Sequence, residues 1–156
     1  MKKILTITGI LSWANMVFGG LMTLFSIVGF MMMGVQAIPS LLMAGAIVLH
    51  SYAAIQLRRS CMDPEFPLDS KTPTGIRLVG FFALFFSFLI ISSAVLLISN
   101  TAQVMVEASS SMPDEALKQV NMEGIIKGIS WFFLLFGISI AVNVLLNFSL
   151  LKAYRQ

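Results

Sequence analysis

Apolar positions in this chain do not alternate with polar ones; they run on. Residues 4–33, 35–57, 78–106 and 129–151 contain no Asp, Glu, Lys or Arg, and one histidine, His50. Each stretch meets or exceeds the roughly 20 residues that an α-helix needs to cross a bilayer core. The pattern predicts an all-α membrane protein built as an antiparallel bundle of four transmembrane helices. The spans fall at about 4–33, 35–57, 76–106 and 124–151, with a cytoplasmic loop at 58–75 and an outer segment at 107–123. Residues 1–156 then form a single four-helix transmembrane domain.

Within the apolar runs, small and polar residues recur at helical spacing. Thr8, Ser12, Asn15, Gly19, Met22, Ser26 and Gly29 follow one another at alternating steps of 4 and 3. That is the period of a left-handed coiled-coil seam. Ala37, Ser40, Ala44, Ile47, Ser51 and Ala54 repeat it in the second span, and Gly80, Ala83, Ser87, Ile90 and Ala94 in the third. The fourth begins with Gly124-x-x-x-Gly128 and later presents Ser139, Asn143 and Asn147. Helices in lipid associate through such close-packing stripes and through hydrogen bonds between helices. Met33-Gly34 followed by Pro39 predicts a tight turn that makes spans one and two a hairpin. The first span, some 45 Å long as a helix, must tilt, bend near Gly19-Gly20 or project from the membrane.

Between Arg58 and Gly75 the prolines Pro64, Pro67 and Pro73 alternate with Asp63, Glu65 and Asp69, which predicts an extended connector. Phe66 and Leu68 could anchor it to the membrane surface or to a partner. In the outer segment, Ser-Met-Pro-Asp-Glu at 111–115 reads as a helix start. Leu117, Val120 and Gly124 would then share a face of a short amphipathic helix leading into the last span. Ser12-Trp13 with Phe18-Gly19 is echoed by Ser130-Trp131 with Phe136-Gly137 at the same spacing. Four matches in an apolar background are too few to argue a repeat.

Composition agrees with the pattern: 58% of residues are hydrophobic and 11% charged, against about 25% charged in ordinary soluble domains. The net charge of +3 is explained by its placement. Lys2, Lys3, Arg58, Arg59, Lys71, Arg77, Lys152 and Arg155 lie on one side of the expected membrane, and Lys118 and Lys127 on the other. This asymmetry predicts that both termini and the 58–75 loop are cytoplasmic. It also argues against nucleic acid as a partner, since the cations sit at helix ends. A Lys-Lys start before an uncleaved apolar span fits a bacterial inner-membrane protein. The single cysteine, Cys61, cannot form an intramolecular disulfide.

Candidate chemistry is confined to a few polar residues inside the spans. His50 lies eight residues before Arg58, Asn143 nine before Lys152, Ser87 ten after Arg77 and Asn15 twelve after Lys3. At a rise of 1.5 Å per residue, these offsets place all four about 12–18 Å from the cytoplasmic boundary. Asn15, His50, Ser87 and Asn143 are therefore expected to form an intramembrane hydrogen-bonded cluster, because an unpaired polar group in hydrocarbon is costly. Its role is read first as structural, with contact to a ligand, ion or proton as the alternative. Phe81, Phe82, Phe85, Phe86 and Phe88 form an aromatic surface expected to meet lipid or another membrane subunit.

Several chemistries fall to counting. One cysteine cannot serve a thiol oxidoreductase, and no membrane-embedded acid is present to couple an antiporter to protons. The outer segments lack the cysteines of claudin- or tetraspanin-like proteins. His50 alone makes a poor metal site, and the consecutive Met31, Met32 and Met33 point about 100° apart and do not converge. No cofactor and no metal are expected. The reading is a non-enzymatic integral membrane protein, an accessory or scaffold subunit of a larger complex, with lipids and other membrane subunits as partners. A small oligomeric transporter or channel, or a lipid- or quinone-binding protein, are the alternatives.

Overall fold

The computed structural model describes residues 2–63, 65–69, 71–110 and 121–154, with 107–110 described in their backbone alone. Among these residues there is no strand. The helices are α1 (Lys2–Met33), α2 (Ile38–Met62), α3 (Thr72–Ser99), α4 (Thr101–Ser110) and α5 (Met122–Tyr154), with a 3-10 turn at Gly34–Ala37 between the first two. Three helical runs are long and apolar enough to cross a membrane: Lys2–Met62, Thr72–Ser99 and Met122–Tyr154. By length and composition the chain is an integral membrane protein.

The first run is not one straight rod. Gly34 takes φ +62, a left-handed conformation that side chains with a Cβ resist. Pro39 then sits in the first turn of α2, where its missing N–H costs nothing. The 3-10 turn folds α2 back along α1, so that a Cβ on Gly19 would come 3.1 Å from Ile47 and 3.2 Å from Val48. α1 itself stays helical through Gly19-Gly20, a length of about 48 Å over its 32 residues.

The chain divides into two compact units. The first comprises residues 1–86 and 139–156, the second residues 87–138. In the first unit, Leu5 of α1, Leu57 of α2, Ile76 of α3 and Leu150 and Leu151 of α5 form a buried apolar cluster at one end. The seam residues Thr8, Ser12, Asn15 and Gly19 of α1 are buried, as are Ala44, Ile47, Ser51 and Ala54 of α2. Farther along α1 the same seam surfaces: Met22, Ser26 and Gly29 are only half-buried. In the second unit, a Cβ on Gly137 would meet Ile91 at 2.7 Å and Ile90 at 3.2 Å. Gly124 and Gly128, expected to begin a packing seam, are exposed instead.

The connector is shorter than its prolines suggest. α2 continues a turn beyond Arg58 to Met62, and α3 starts at Thr72, so helix takes residues 58–62 and 72–75. Pro73 lies in the opening turn of α3, a position proline favours, while Pro67 lies outside any helix. The loop acids serve as turn makers. The Asp63 carboxylate accepts from the Glu65 amide at 3.1 Å, and the Asp69 carboxylate from the Lys71 amide at 3.0 Å, while the Asp69 backbone carbonyl accepts from the Thr72 amide at 3.0 Å. Leu68 packs against the apolar cluster, and its amide donates to the Tyr154 hydroxyl at 3.3 Å.

The third apolar run, expected to continue to Val106, is interrupted at Asn100. The Asn100 side-chain amide donates to the Leu96 carbonyl at 3.0 Å, and the Thr101 hydroxyl to the carbonyls of Leu97 and Ile98 at 2.9 and 3.0 Å. Side chains that compete for the carbonyls of the preceding turn loosen a helix there. α5 opens on Asn121, whose side-chain oxygen accepts from the Gly124 amide at 2.9 Å, a regular N-cap. The expected helix start at 111–115 and the face carrying Leu117 and Val120 lie outside the described residues.

Candidate functional site in the membrane interior

The apolar context decides what matters in the first unit, because every buried polar atom there must find a partner or carry its desolvation cost. Asn15 on α1 and Asn143 on α5 are buried to 1% and 0% exposure. They are held by two crossed hydrogen bonds between the helices. The Ser12 hydroxyl donates to the Asn143 side-chain oxygen at 3.1 Å, and the Ser139 hydroxyl donates to that of Asn15 at 2.9 Å. Each helix thus contributes one serine and one asparagine, three or four residues apart, which puts both on one face.

One turn farther along α5, the Asn147 side-chain amide donates to the Asn143 carbonyl at 2.7 Å and to its side-chain oxygen at 3.0 Å. The acceptor oxygens of Asn15 and Asn143 are therefore used, while their amide nitrogens find no acceptor. The side-chain oxygen of Asn147 is likewise buried and unpaired.

His50 occupies the buried face of α2, at 1% exposure, and neither ring nitrogen has a hydrogen-bond partner among the described residues. Its place is made by Gly80 of α3. A Cβ there would lie 3.2 Å from the imidazole Cε1 and 2.7 Å from the Phe148 ring. Ser51, next to it, returns its hydroxyl to the Ile47 carbonyl at 2.8 Å.

Ser87 belongs to the second unit. It is buried, and its hydroxyl donates to the Gly137 carbonyl at 2.8 Å, joining α3 to α5. No hydrogen bond joins Asn15, His50, Ser87 and Asn143 directly to one another: Asn15 bonds to Ser139, Asn143 to Ser12 and Asn147, Ser87 to the Gly137 backbone, and His50 to none of the described residues.

The five phenylalanines separate into two stripes. Phe81, Phe85 and Phe88 are half or more exposed. Phe82 and Phe86 instead line an open apolar groove of about 410 Å³ with Val79 of α3 and Leu42, Gly45, Ala46 and Leu49 of α2. No atom lies within 4 Å of where a Cβ on Gly45 would be, so the floor of this groove is open backbone.

A basic feature lies at the end of the first unit that carries Lys2 and Arg58. The Arg58 guanidinium rests on α1 at Gly9, where a Cβ would come 2.7 Å from its Cζ and Nε. Arg59 turns the other way and stacks over Phe66, 3.8 Å from the ring centroid.

The arrangement offers hydrogen-bond donors and acceptors in an apolar interior, and among the described residues of this cluster no nucleophile is paired with a base. Sequence reasoning missed Ser12, Ser139 and Asn147 as members of the site, although all lie on the seams at one turn from Asn15 or Asn143. It also missed Gly9, whose signal was its position beside the buried stripe of Leu5, Thr8 and Ser12. Comparison with protein-family models, with curated proteins and with solved structures gave no match for this chain.

Proposed function

We propose that this protein is a non-enzymatic accessory or scaffold subunit of a larger membrane complex. In this reading the chain crosses the bilayer four times as a bundle, with both termini and the loop between α2 and α3 cytoplasmic, in a bacterial inner membrane. The observation that carries the subunit role is the groove between α2 and α3. Small residues on its floor, Gly45 and Ala46, let another helix backbone approach closely, and Phe82 and Phe86 supply aromatic walls. The crossed Ser/Asn pairs support the same reading, since they lock α1 to α5 in place of leaving their oxygens to a solute.

The test is extraction of the native protein in mild detergent, with its companions identified by size and mass spectrometry. Stoichiometric membrane partners that are lost from Gly45→Leu, while the variant stays folded, are the expected result. A lone chain or homo-oligomer overturns the reading.

One observation favours a second reading, a small transporter or channel. The unpaired nitrogens of Asn15, Asn143 and His50 and the unpaired oxygen of Asn147 could take up a polar solute or ion. That reading requires a flux that changes on His50→Ala or Asn143→Leu.

A further inference from the structure

We propose that the notch between the start of α1 and the end of α2 is a binding site for a phosphate group, carried by a phospholipid headgroup or by a soluble phosphate compound. The notch is an open pocket of about 610 Å³ lined by Lys2, Leu5, Thr6, Arg58, Cys61 and Met62. Two of these are cations and none is an acid. Arg58 makes no hydrogen bond or ion pair with the described residues, and its Nε is buried without a partner.

Arg58 as a whole is half-buried, but its Nε donor, covered without an acceptor, carries a desolvation cost. Gly9 leaves the clearance that the guanidinium occupies, since a Cβ there would lie 2.7 Å from its Cζ and Nε and would displace it. The neighbouring Arg59 shows the contrast, since its guanidinium already stacks on the Phe66 ring. Guanidinium geometry matches phosphate oxygens through paired N–H donors, and Lys2 adds a second positive charge. The first turn of α1, which opens the same pocket, contains no acid, so its free amides reinforce an anion-attracting field. Leu5, Met62 and the Cys61 side chain supply an apolar wall suited to the glycerol and upper acyl carbons of a lipid.

The inference rests on the membrane location of the chain and not on its role as a subunit. It is tested on the purified full-length protein in detergent, by native mass spectrometry with three lipids of identical acyl chains: phosphatidylglycerol, phosphatidylcholine and diacylglycerol. Phosphatidylglycerol is expected to bind most tightly and diacylglycerol, which lacks phosphate, least. Arg58→Gln is expected to weaken phosphatidylglycerol by about tenfold, the loss of one charge-assisted contact, whereas Arg59→Gln leaves it unchanged.

Gly9→Ala provides a second variant that keeps the charge but moves it, and the flexible arginine can shift without unfolding the helix pair. It too should weaken binding. Excess inorganic phosphate separates the sources. Displacement of the lipid by phosphate supports a soluble phosphate ligand, and retention of the lipid supports a headgroup. Equal binding of all three lipids, or phosphatidylglycerol affinity unmoved in both Arg58→Gln and Gly9→Ala, overturns the proposal. The loss of protein partners, or their absence, leaves each of these outcomes as it stands.

Discussion

Replacing Asn143 by leucine tests whether the crossed polar pairs hold α1 to α5. The side-chain oxygen of Asn143 accepts from Ser12 at 3.1 Å and from Asn147 at 3.0 Å, and both bonds vanish in the variant. Not all of that is lost stability. Asn147 keeps its 2.7 Å bond to the backbone carbonyl of residue 143. The freed Ser12 hydroxyl can turn to the carbonyl four residues earlier, as Thr8 already does at 2.8 Å. The variant also removes the Asn143 amide nitrogen, which is buried without a partner. Hydrogen bonds between membrane helices average about 0.6 kcal/mol and reach about 1.7 kcal/mol. Two lost bonds, partly offset, give a net destabilisation of roughly 0.5–1.5 kcal/mol. The sharper quantity is the coupling of Ser12→Ala with Asn143→Leu in a double-mutant cycle, expected near 0.6 kcal/mol. Unfolding of the full chain by a denaturing detergent in mixed micelles, followed by circular dichroism, measures it. Ser149→Ala, an exposed serine on the same helix, should be additive with Asn143→Leu. Zero coupling between Ser12 and Asn143, or the same coupling with Ser149, would refute the reasoning.

Gly34→Ala forces a Cβ into the left-handed region and should cost about 1–2 kcal/mol in the same unfolding assay, with Gly34→Asn costing less. Gly137→Ala sets a methyl 2.7 Å from Ile91 and 3.3 Å from the Ser87 backbone carbonyl, an overpacking worth roughly 1–3 kcal/mol. Gly20→Ala meets nothing within 4 Å and should leave stability unchanged or raise it by up to about 1 kcal/mol. For topology, the sole cysteine is a native probe. Cys61 should resist a membrane-impermeant maleimide in intact cells and react in inverted vesicles, with Val35→Cys in a Cys61→Ser background behaving the opposite way. Labelling of Cys61 from outside would reverse the assigned orientation.

Which residues face inward was readable from spacing alone for half of α1 and most of α2, because a buried stripe must repeat with the helix. What covers the stripe was not readable. Met22, Ser26 and Gly29 keep the period of Thr8, Ser12, Asn15 and Gly19 yet stand half-buried, and Gly124-x-x-x-Gly128 faces outward altogether. A small-residue stripe records the possibility of close approach, not the identity of the neighbour. The helix break at Asn100 had a visible cause, three polar residues at 99–101 within an apolar run, but length alone suggested a longer span. Pro67 and Pro73 looked equivalent in the sequence, and the structure separates them by position, since a proline in an opening turn leaves a helix intact. Counting residues from the charged ends placed Asn15 and Asn143 at a common depth. Depth carries no information about angle around the helix, so the serines that reach them were not singled out.

Register is the property that an apolar bundle in lipid has most difficulty specifying. Leucine against leucine is no better than leucine against acyl chain, and a seam of small residues packs almost as well after slipping by one repeat. The crossed pairs reduce that degeneracy. If α5 slid by one turn along α1, Ser12 would face residue 139 or 147 in place of Asn143. Ser139 would lose Asn15 at the same time; the slip toward 139 sets Asn15 against Leu135, while the slip toward 147 sets Ser12 against Asn147 and Asn15 against Asn143, so only the first strands a carboxamide. Because the two bonds run from opposite helices, one displacement breaks both. A polar pair worth little to stability can therefore decide alignment, as a single buried asparagine does in a coiled coil. Alignment in turn sets the lateral surface. α2 is tied to α1 by the Gly34 turn and by the close approach at Gly19, so fixing α1 against α5 fixes the frame in which α2 presents Gly45 and Ala46. A docking groove in lipid has value to a partner only when its floor and walls keep their spacing. On this argument the buried polar residues serve the proposed interface without touching it, and Asn143→Leu should weaken partner retention more than its small cost in stability would explain.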